Sequence, residues 1–170
     1  MKFCPRCATP LAPRADEPGR ERAACPAPGC GYVFYDNPLP VVAGLVEHEG
    51  AVILTRQRGW PEGLFGLMAG FIERGEAPEE AVLRELGEEL GLRGTVAGLI
   101  GVYGFAPRTA LIVAYHVLAE GEVRVGDELE AIKRVAPERL RPWPFGTGLA
   151  VRDWLAARGV RPGLGEKTEL

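Results

Sequence analysis

Gly70-Phe71-Ile72-Glu73-Arg74-Gly75-Glu76-Ala77-Pro78-Glu79-Glu80-Ala81-Val82-Leu83-Arg84-Glu85-Leu86-Gly87-Glu88-Glu89-Leu90-Gly91-Leu92 is the stretch on which the reading of this chain turns. Its second half predicts a helix over Pro78–Leu90, with proline in the first turn, Val82, Leu86 and Leu90 along one stripe, and Gly91 to stop it. Ala77 is a poor N-cap for such a helix. Glu85, Glu88 and Glu89 fall at i, i+3 and i+4, side by side and next to the apolar stripe, with Glu89 nearest its buried edge. They crowd the C-terminal half of the helix, where the macrodipole disfavours anions. A solvated acidic face is one reading of the cluster. The edge position favours another, in which the carboxylates coordinate Mg²⁺ or Mn²⁺. The preceding loop, Gly66 to Glu76, brings a glycine-punctuated backbone toward the helix start, so a carbonyl of Ala69 or Gly70 is available as a further ligand. Spacing alone leads to an acidic metal site with phosphate chemistry, set against a charged surface helix.

Composition narrows the chemistry. A chain of 170 residues holds one good-sized core, or one core and a small appendage. The formal net charge of -3 provides no basic footprint for general nucleic-acid or anionic-membrane binding. No apolar run is long enough to span a bilayer and the opening residues have no secretory core, so a cytoplasmic protein is expected. Serine is absent, which excludes a Ser-His-Asp hydrolase. Arginine outnumbers lysine 17 to 3, and Asn37 and Gln57 are the single amides, a skew that fits either a thermophile or a GC-rich genome.

Outward from the acidic tract, the chain divides into a head and a body. Cys4-Pro-Arg-Cys7 and Cys25-Pro-Ala-Pro-Gly-Cys30, 17 residues apart, have the spacing of a zinc ribbon in which Cys4, Cys7, Cys25 and Cys30 supply four thiolates. Two disulfides are the alternative and would need an oxidising compartment. Ala8 to Ala24 reads as the loop between the two knuckles. The boundaries expected are 1–36 for the ribbon, 37–160 for the body and 161–170 for a flexible tail. In the body, Val41–Glu47 and Ala51–Arg56 read as a hairpin turning at an exposed His48. Val96–Tyr103 and Ala110–Ala119 read as buried strands, Ile132–Ala136 as a shorter strand, and Gly148–Arg158 as a closing helix. The interleaving implies an α/β body with a mixed sheet.

Gly70-x5-Glu76-x7-Arg84-Glu85-Leu86-x-Glu88-Glu89-x-Gly91-Leu92 matches every specified position of the box that defines the Nudix hydrolases. The resemblance implies that family's fold, a mixed β-sheet sandwiched between helices, here with a small N-terminal zinc ribbon. It also implies hydrolysis by water of the diphosphate linkage of a nucleoside diphosphate joined to another group. Carried over position by position, Glu85 and Glu89 are the principal metal ligands, Glu88 assists, and Arg84 and Glu76 brace the loop against the helix. An i, i+4 pair of Arg84 with Glu80 is compatible with that bracing.

The cysteines, Tyr35-Asp-Asn-Pro38 and Met68-Ala69-Gly70-Phe71-Ile72-Glu73 together resemble the NADH pyrophosphatases. In that comparison Tyr35 falls at a substrate-contacting position and Glu130 at an additional metal-site carboxylate. The Ser-Gln-Pro-Trp-Pro-Phe signature of those enzymes is missing, and Tyr103 to Ala110 stands in its place. Arg141-Pro-Trp-Pro-Phe145 comes too late and reads as a helix entry. The chain therefore looks closer to ribbon-bearing members that resemble ADP-ribose and FAD pyrophosphatases. The expected substrate is a dinucleotide type such as ADP-ribose, FAD or NADH. Cleansing of modified nucleoside triphosphates and an RNA- or protein-recognition module are the rival readings. Trp60 and Phe105 are candidates for stacking on a base, and Arg56 and Arg58 for contacting phosphate, each against a packing or solvated role. Glu128 shares with Glu130 a predicted loop, read either as bringing a carboxylate to the metals or as a plain polar connection. His116 reads as a hydrogen-bonded core histidine. The resemblance permits a homodimer.

Overall fold

A computed structural model of the protein describes residues 1–160; the tail expected over 161–170 lies outside the described residues. The chain forms two compact units, Met1–Asn37 and Pro38 onward. In the first, β1 (Ala12–Glu17), β2 (Arg20–Ala24) and β3 (Val33–Phe34) make a three-stranded antiparallel sheet. This corrects the loop expected between the knuckles. Pro18-Gly19 turns the chain, with Gly19 at φ 79°, and charged strands fit because nearly all of the hairpin is exposed.

The second unit is built on one mixed sheet. Its strands are β4 (Leu39–His48), β5 (Ala51–Gln57), β6 (Met68–Phe71), β7 (Arg93–Phe105), β8 (Ala110–Glu120) and β9 (Leu129–Val135). They run in the order β7-β8-β4-β5-β9, with β6 also paired to β4. The β4–β8 pair is parallel and the other pairs are antiparallel. β4 is buried on both faces, as its run of Val42, Ala43, Leu45 and Val46 demands. It turns into β5 through Glu49 and Gly50, both at positive φ, as a two-residue hairpin requires.

One helix packs on each face. α1 (Pro78–Leu90) covers Val42, Val46, Ile53 and Val117 with Ala81, Val82, Leu86 and Leu90, and α2 (Gly148–Ala157) covers Ala43, Leu45, Val52 and Ala114 with Val151, Trp154 and Leu155. The weak cap at Ala77 is compensated from inside the helix, since Glu80 accepts the Ala77 N–H at 3.0 Å. Gly91 ends α1 in the left-handed conformation at φ 65°. The last carbonyls are then used by the segment ahead of β9: the N–H of Arg124 donates to Leu90 and that of Gly126 to Glu89, each at 2.8 Å. A side chain on Gly126 would collide with the Glu88 carbonyl, so glycine is what lets this segment lie on the helix end.

Three body expectations change. β7 is not a buried strand: it is an edge, half-exposed along its length, with two register shifts against β8. His48 is not exposed. It is buried, Nε2 bonding the Gly121 carbonyl at 2.9 Å and Nδ1 facing the Arg134 guanidinium at 2.8 Å. β9 begins at Leu129 rather than Ile132, which moves Glu130 from a loop onto a strand. His116 is held as expected, by Glu47 at 2.9 Å and edge-on to Trp154. Among the described residues no helix is long and apolar enough to cross a membrane. Leu86 is fully buried at the centre of the α1 interface; Leu86→Ala is expected to cost about 2–5 kcal/mol of unfolding free energy in urea denaturation followed by circular dichroism.

Candidate active site and metal centres

The acidic cluster is arranged around Arg84. Its Nε and Nη2 grip both oxygens of Glu76 at 2.8 and 3.1 Å, and Nη2 also donates to the Phe71 carbonyl at 3.0 Å. Nη1 donates to Glu85 at 2.8 Å and to Glu88 at 2.9 Å. Glu80 is not a partner, because it caps the helix. Glu76 accepts the Glu73 N–H as well, at 3.1 Å, which closes the loop onto the helix start. Arg84 holds Glu76 below the usual carboxylate range, and Glu76, ahead of Glu85, locks the guanidinium in its charged form.

Glu85 and Glu89 behave differently. Glu85 lies over Gly70, where a Cβ would collide with its carboxylate. Burial raises its pKa, against the pull of Arg84. Glu89 is 3% exposed, and neither of its oxygens has a hydrogen-bond partner. Burial first, and then the charge of Glu85, pushes its pKa up to about 8. The charge of Glu128 acts in the same direction on both groups. The Ala69 carbonyl accepts from the Gln57 amide at 3.4 Å. A buried carboxylate without a donor, next to a second one held against bare backbone, is a donor set that fits a hard divalent cation.

Glu130 is exposed, its carboxylate 3.5 Å from the Arg56 guanidinium. Glu128, one residue before β9, is the acidic residue of that segment that acts on Glu85 and Glu89. The sequence signal that distinguishes them is Gly126, the close approach that brings the segment to the helix end. Trp60 packs its ring on Gly66, where a Cβ would stand 3.2 Å away, and Phe105 stacks on Phe145 with centroids 6.4 Å apart. In the first unit Tyr35 is half-exposed; its carbonyl accepts from Arg22 at 2.6 Å, and that guanidinium lies 4.7 Å from its ring centroid.

Also in the first unit, the sulfurs of Cys4, Cys7, Cys25 and Cys30 all lie within 4.8 Å of one another. Cys4 and Cys30 are 3.6 Å apart and Cys7 and Cys25 3.5 Å. Four thiolates around zinc at about 2.3 Å stand about 3.8 Å apart, so the cluster fits one tetrahedral ion. The cysteines are unpaired and their four sulfurs form one cluster, which suits one ion better than two disulfides. The Arg6 N–H points to the Cys4 sulfur at 3.4 Å, as in a metal-binding knuckle.

The NUDIX domain model matches residues 37–154. The chain belongs to the Nudix family. The model described as Nudix N-terminal, a zinc ribbon, matches residues 2–36 of this Nudix protein. An ADP-ribose pyrophosphatase of Methanocaldococcus jannaschii is 32% identical over 130 residues, covering 73% of this chain and 77% of that one. The NAD-capped RNA hydrolase NudC of Chromobacterium violaceum is 40% identical over 92 residues, 54% of this chain but only 33% of that relative's length. Among solved structures, a Nudix hydrolase of Nitrosomonas europaea shares the fold with a TM-score of 0.75 at 24% identity, over 97% of each chain.

Two outcomes are expected of the centres. Native mass spectrometry finds one zinc per chain, and Cys25→Ser loses it. For Glu89 the folded pKa of about 8 lies above its ordinary 4.5, so the folded protein binds this proton more tightly than the unfolded chain. Stability of the protein without divalent cation therefore falls as pH rises from about 4.5 to about 8. Melting temperatures across that range are expected to drop in chelator treated to spare the zinc, and to drop less with saturating Mn²⁺.

Proposed function

We propose that this Nudix protein hydrolyses the pyrophosphate bond of a dinucleotide-type substrate, in the class of ADP-ribose, NADH and FAD, and releases AMP. The observation that carries the reading is Glu89, a buried carboxylate with two unpaired oxygens set beside Glu85. Glu85 and Glu89 would hold the divalent cation, Mg²⁺ or Mn²⁺, together with the Ala69 carbonyl, Glu88 and Glu128. Glu128 replaces Glu130 in this assignment because Glu130 is turned to Arg56. A bound divalent cation neutralises phosphate charge and lowers the pKa of water.

The chain's own part is to keep that place open. Arg84 fixes Glu85 and Glu88 and ties the Glu76 loop to the helix, so donors from loop and helix converge without moving. Glu89 has no protein partner on either oxygen, so both are left to face a cation. The substrate class is supported by the relatives named for ADP-ribose and for NAD-capped RNA, since both substrates contain an adenosine joined through a pyrophosphate to a second sugar. A cytoplasmic setting, where thiols stay reduced, suits the four-cysteine centre.

Incubation of the full chain with ADP-ribose, NADH, FAD, an NAD-capped oligonucleotide and nucleoside triphosphates, with Mg²⁺ or Mn²⁺, is the test. AMP, or a 5′-monophosphate end from the capped RNA, is expected from at least one dinucleotide linkage. Glu89→Gln is expected to reduce that rate by about 100-fold or more, because even outer partners of metal ligands cost 10–100-fold. Turnover undiminished in Glu89→Gln would sink the site assignment, and cleavage of triphosphates alone would sink the substrate class.

A further inference from the structure

Gln57 is the one glutamine of the chain and ends β5, half-buried. β5 runs in regular register with β9 until the step from Arg56 to Gln57, where the pairing shifts and Gln57 comes opposite Leu129. At that irregularity its Nε2 donates to the Ala69 carbonyl at 3.4 Å. The same amide stands beside the Glu89 carboxylate, though neither Glu89 oxygen gains a complete hydrogen bond. One neutral side chain thus faces two groups from separate elements, a backbone oxygen of β6 and a carboxylate of α1.

We propose that Gln57 is a positioning residue of the divalent-cation centre, its amide setting the span between the Ala69 carbonyl and the Glu89 carboxylate so that both face one ion. The proposal rests on the reading of Glu85, Glu89 and Ala69 as the donors of that ion. The choice of side chain follows from the charges around it. A carboxylate at this position would join Glu85, Glu88, Glu89 and Glu128 and face the Ala69 carbonyl with no donor. A lysine or arginine would neutralise Glu89 itself and compete with the ion. An amide supplies donors without a charge, so it orders the two oxygens and leaves their demand for a cation intact. The 3.4 Å separation is at the long end for such a bond.

Electron paramagnetic resonance of Mn²⁺ titrated into the full, zinc-loaded chain measures this directly. Gln57→Met keeps the length and removes the donors; Gln57→Asn keeps the amide but is one methylene too short to span the two groups. Both variants are expected to bind Mn²⁺ about tenfold more weakly, and to need about tenfold more Mn²⁺ for half-maximal hydrolysis, while the KM for nucleotide stays at the wild-type value. Circular dichroism melts report folding, and if Gln57→Met fails to fold, Gln57→Asn decides. Wild-type Mn²⁺ affinity in a folded variant overturns the proposal. Glu89→Gln, titrated alongside, separates the two levels. If it loses Mn²⁺ while the Gln57 variants do not, only the role of Gln57 falls; if it also binds as wild type, the metal assignment falls with it.

Discussion

The guanidinium of Arg84 directs its donors to Glu76, Glu85, Glu88 and the Phe71 carbonyl, and no hydrogen bond from it reaches Glu89. Much of the arrangement around α1 follows from that unequal division. Glu76 is held firmly, so the loop ahead of the helix is fixed at both ends. Glu85 is steered onto Gly70, and the bare Cα there becomes a requirement. Glu88, largely exposed, is screened by water and by the same cation. Glu89 is left in the core with no complete hydrogen bond to either oxygen. Moving its pKa from 4.5 to about 8 corresponds to on the order of 5 kcal/mol favouring the neutral form.

Backbone contacts keep the centre assembled despite that repulsion. The N–H groups of Arg124 and Gly126 bond the last carbonyls of α1, so the segment carrying Glu128 is held by the helix end and not by its charge. β6 is paired with β4 from Val41 to Gly44, which sets the positions of Ala69 and Gly70. The Val82, Leu86 and Leu90 stripe anchors the helix itself in the apolar cluster. Like charges are therefore brought together by contacts that do not involve them, and the electrostatic cost stays local to their side chains.

What the sequence reveals depends on how local the determining physics is. α1 runs from Pro78 to Leu90 as expected because its signals, proline at the start, apolar spacing and Gly91 at the end, all lie within the segment. The pairing of Arg84 with Glu76 is legible only through the family box, since spacing alone offers Glu80, which instead caps the helix. The four-cysteine spacing likewise places the sulfurs together. Misjudged features depend on neighbours far along the chain. Val96–Tyr103 has the composition of a buried strand, and only the strand order makes β7 an edge. His48 follows a strand into a turn, yet Gly121 and Arg134, both distant in sequence, bury it. Glu128 and Glu130 are indistinguishable by spacing, and only the bulge opposite Gln57 and the anchoring of Gly126 set their surroundings apart. The Ala12–Glu17 and Arg20–Ala24 hairpin was hidden by polar strands, since a sheet with little to bury shows no apolar alternation.

The same magnitudes bear on why such a costly carboxylate is tolerated. A ligand that binds only the folded state at 100 times its dissociation constant stabilises it by about 2.7 kcal/mol, and at 1,000 times by about 4.1 kcal/mol. Those values are of the same order as the bias toward the neutral form at Glu89, so an ion bound there would offset a substantial part of it. A permanent lysine or arginine beside Glu89 would pair the carboxylate and, on the proposed reading, fill the place left for an ion. On that reading the unpaired carboxylate is the part of the body that cannot take a fixed protein cation without losing the proposed chemistry. Its neighbours follow suit: a glycine at 70, a neutral amide at 57 and a cation at 84 already committed to other carboxylates.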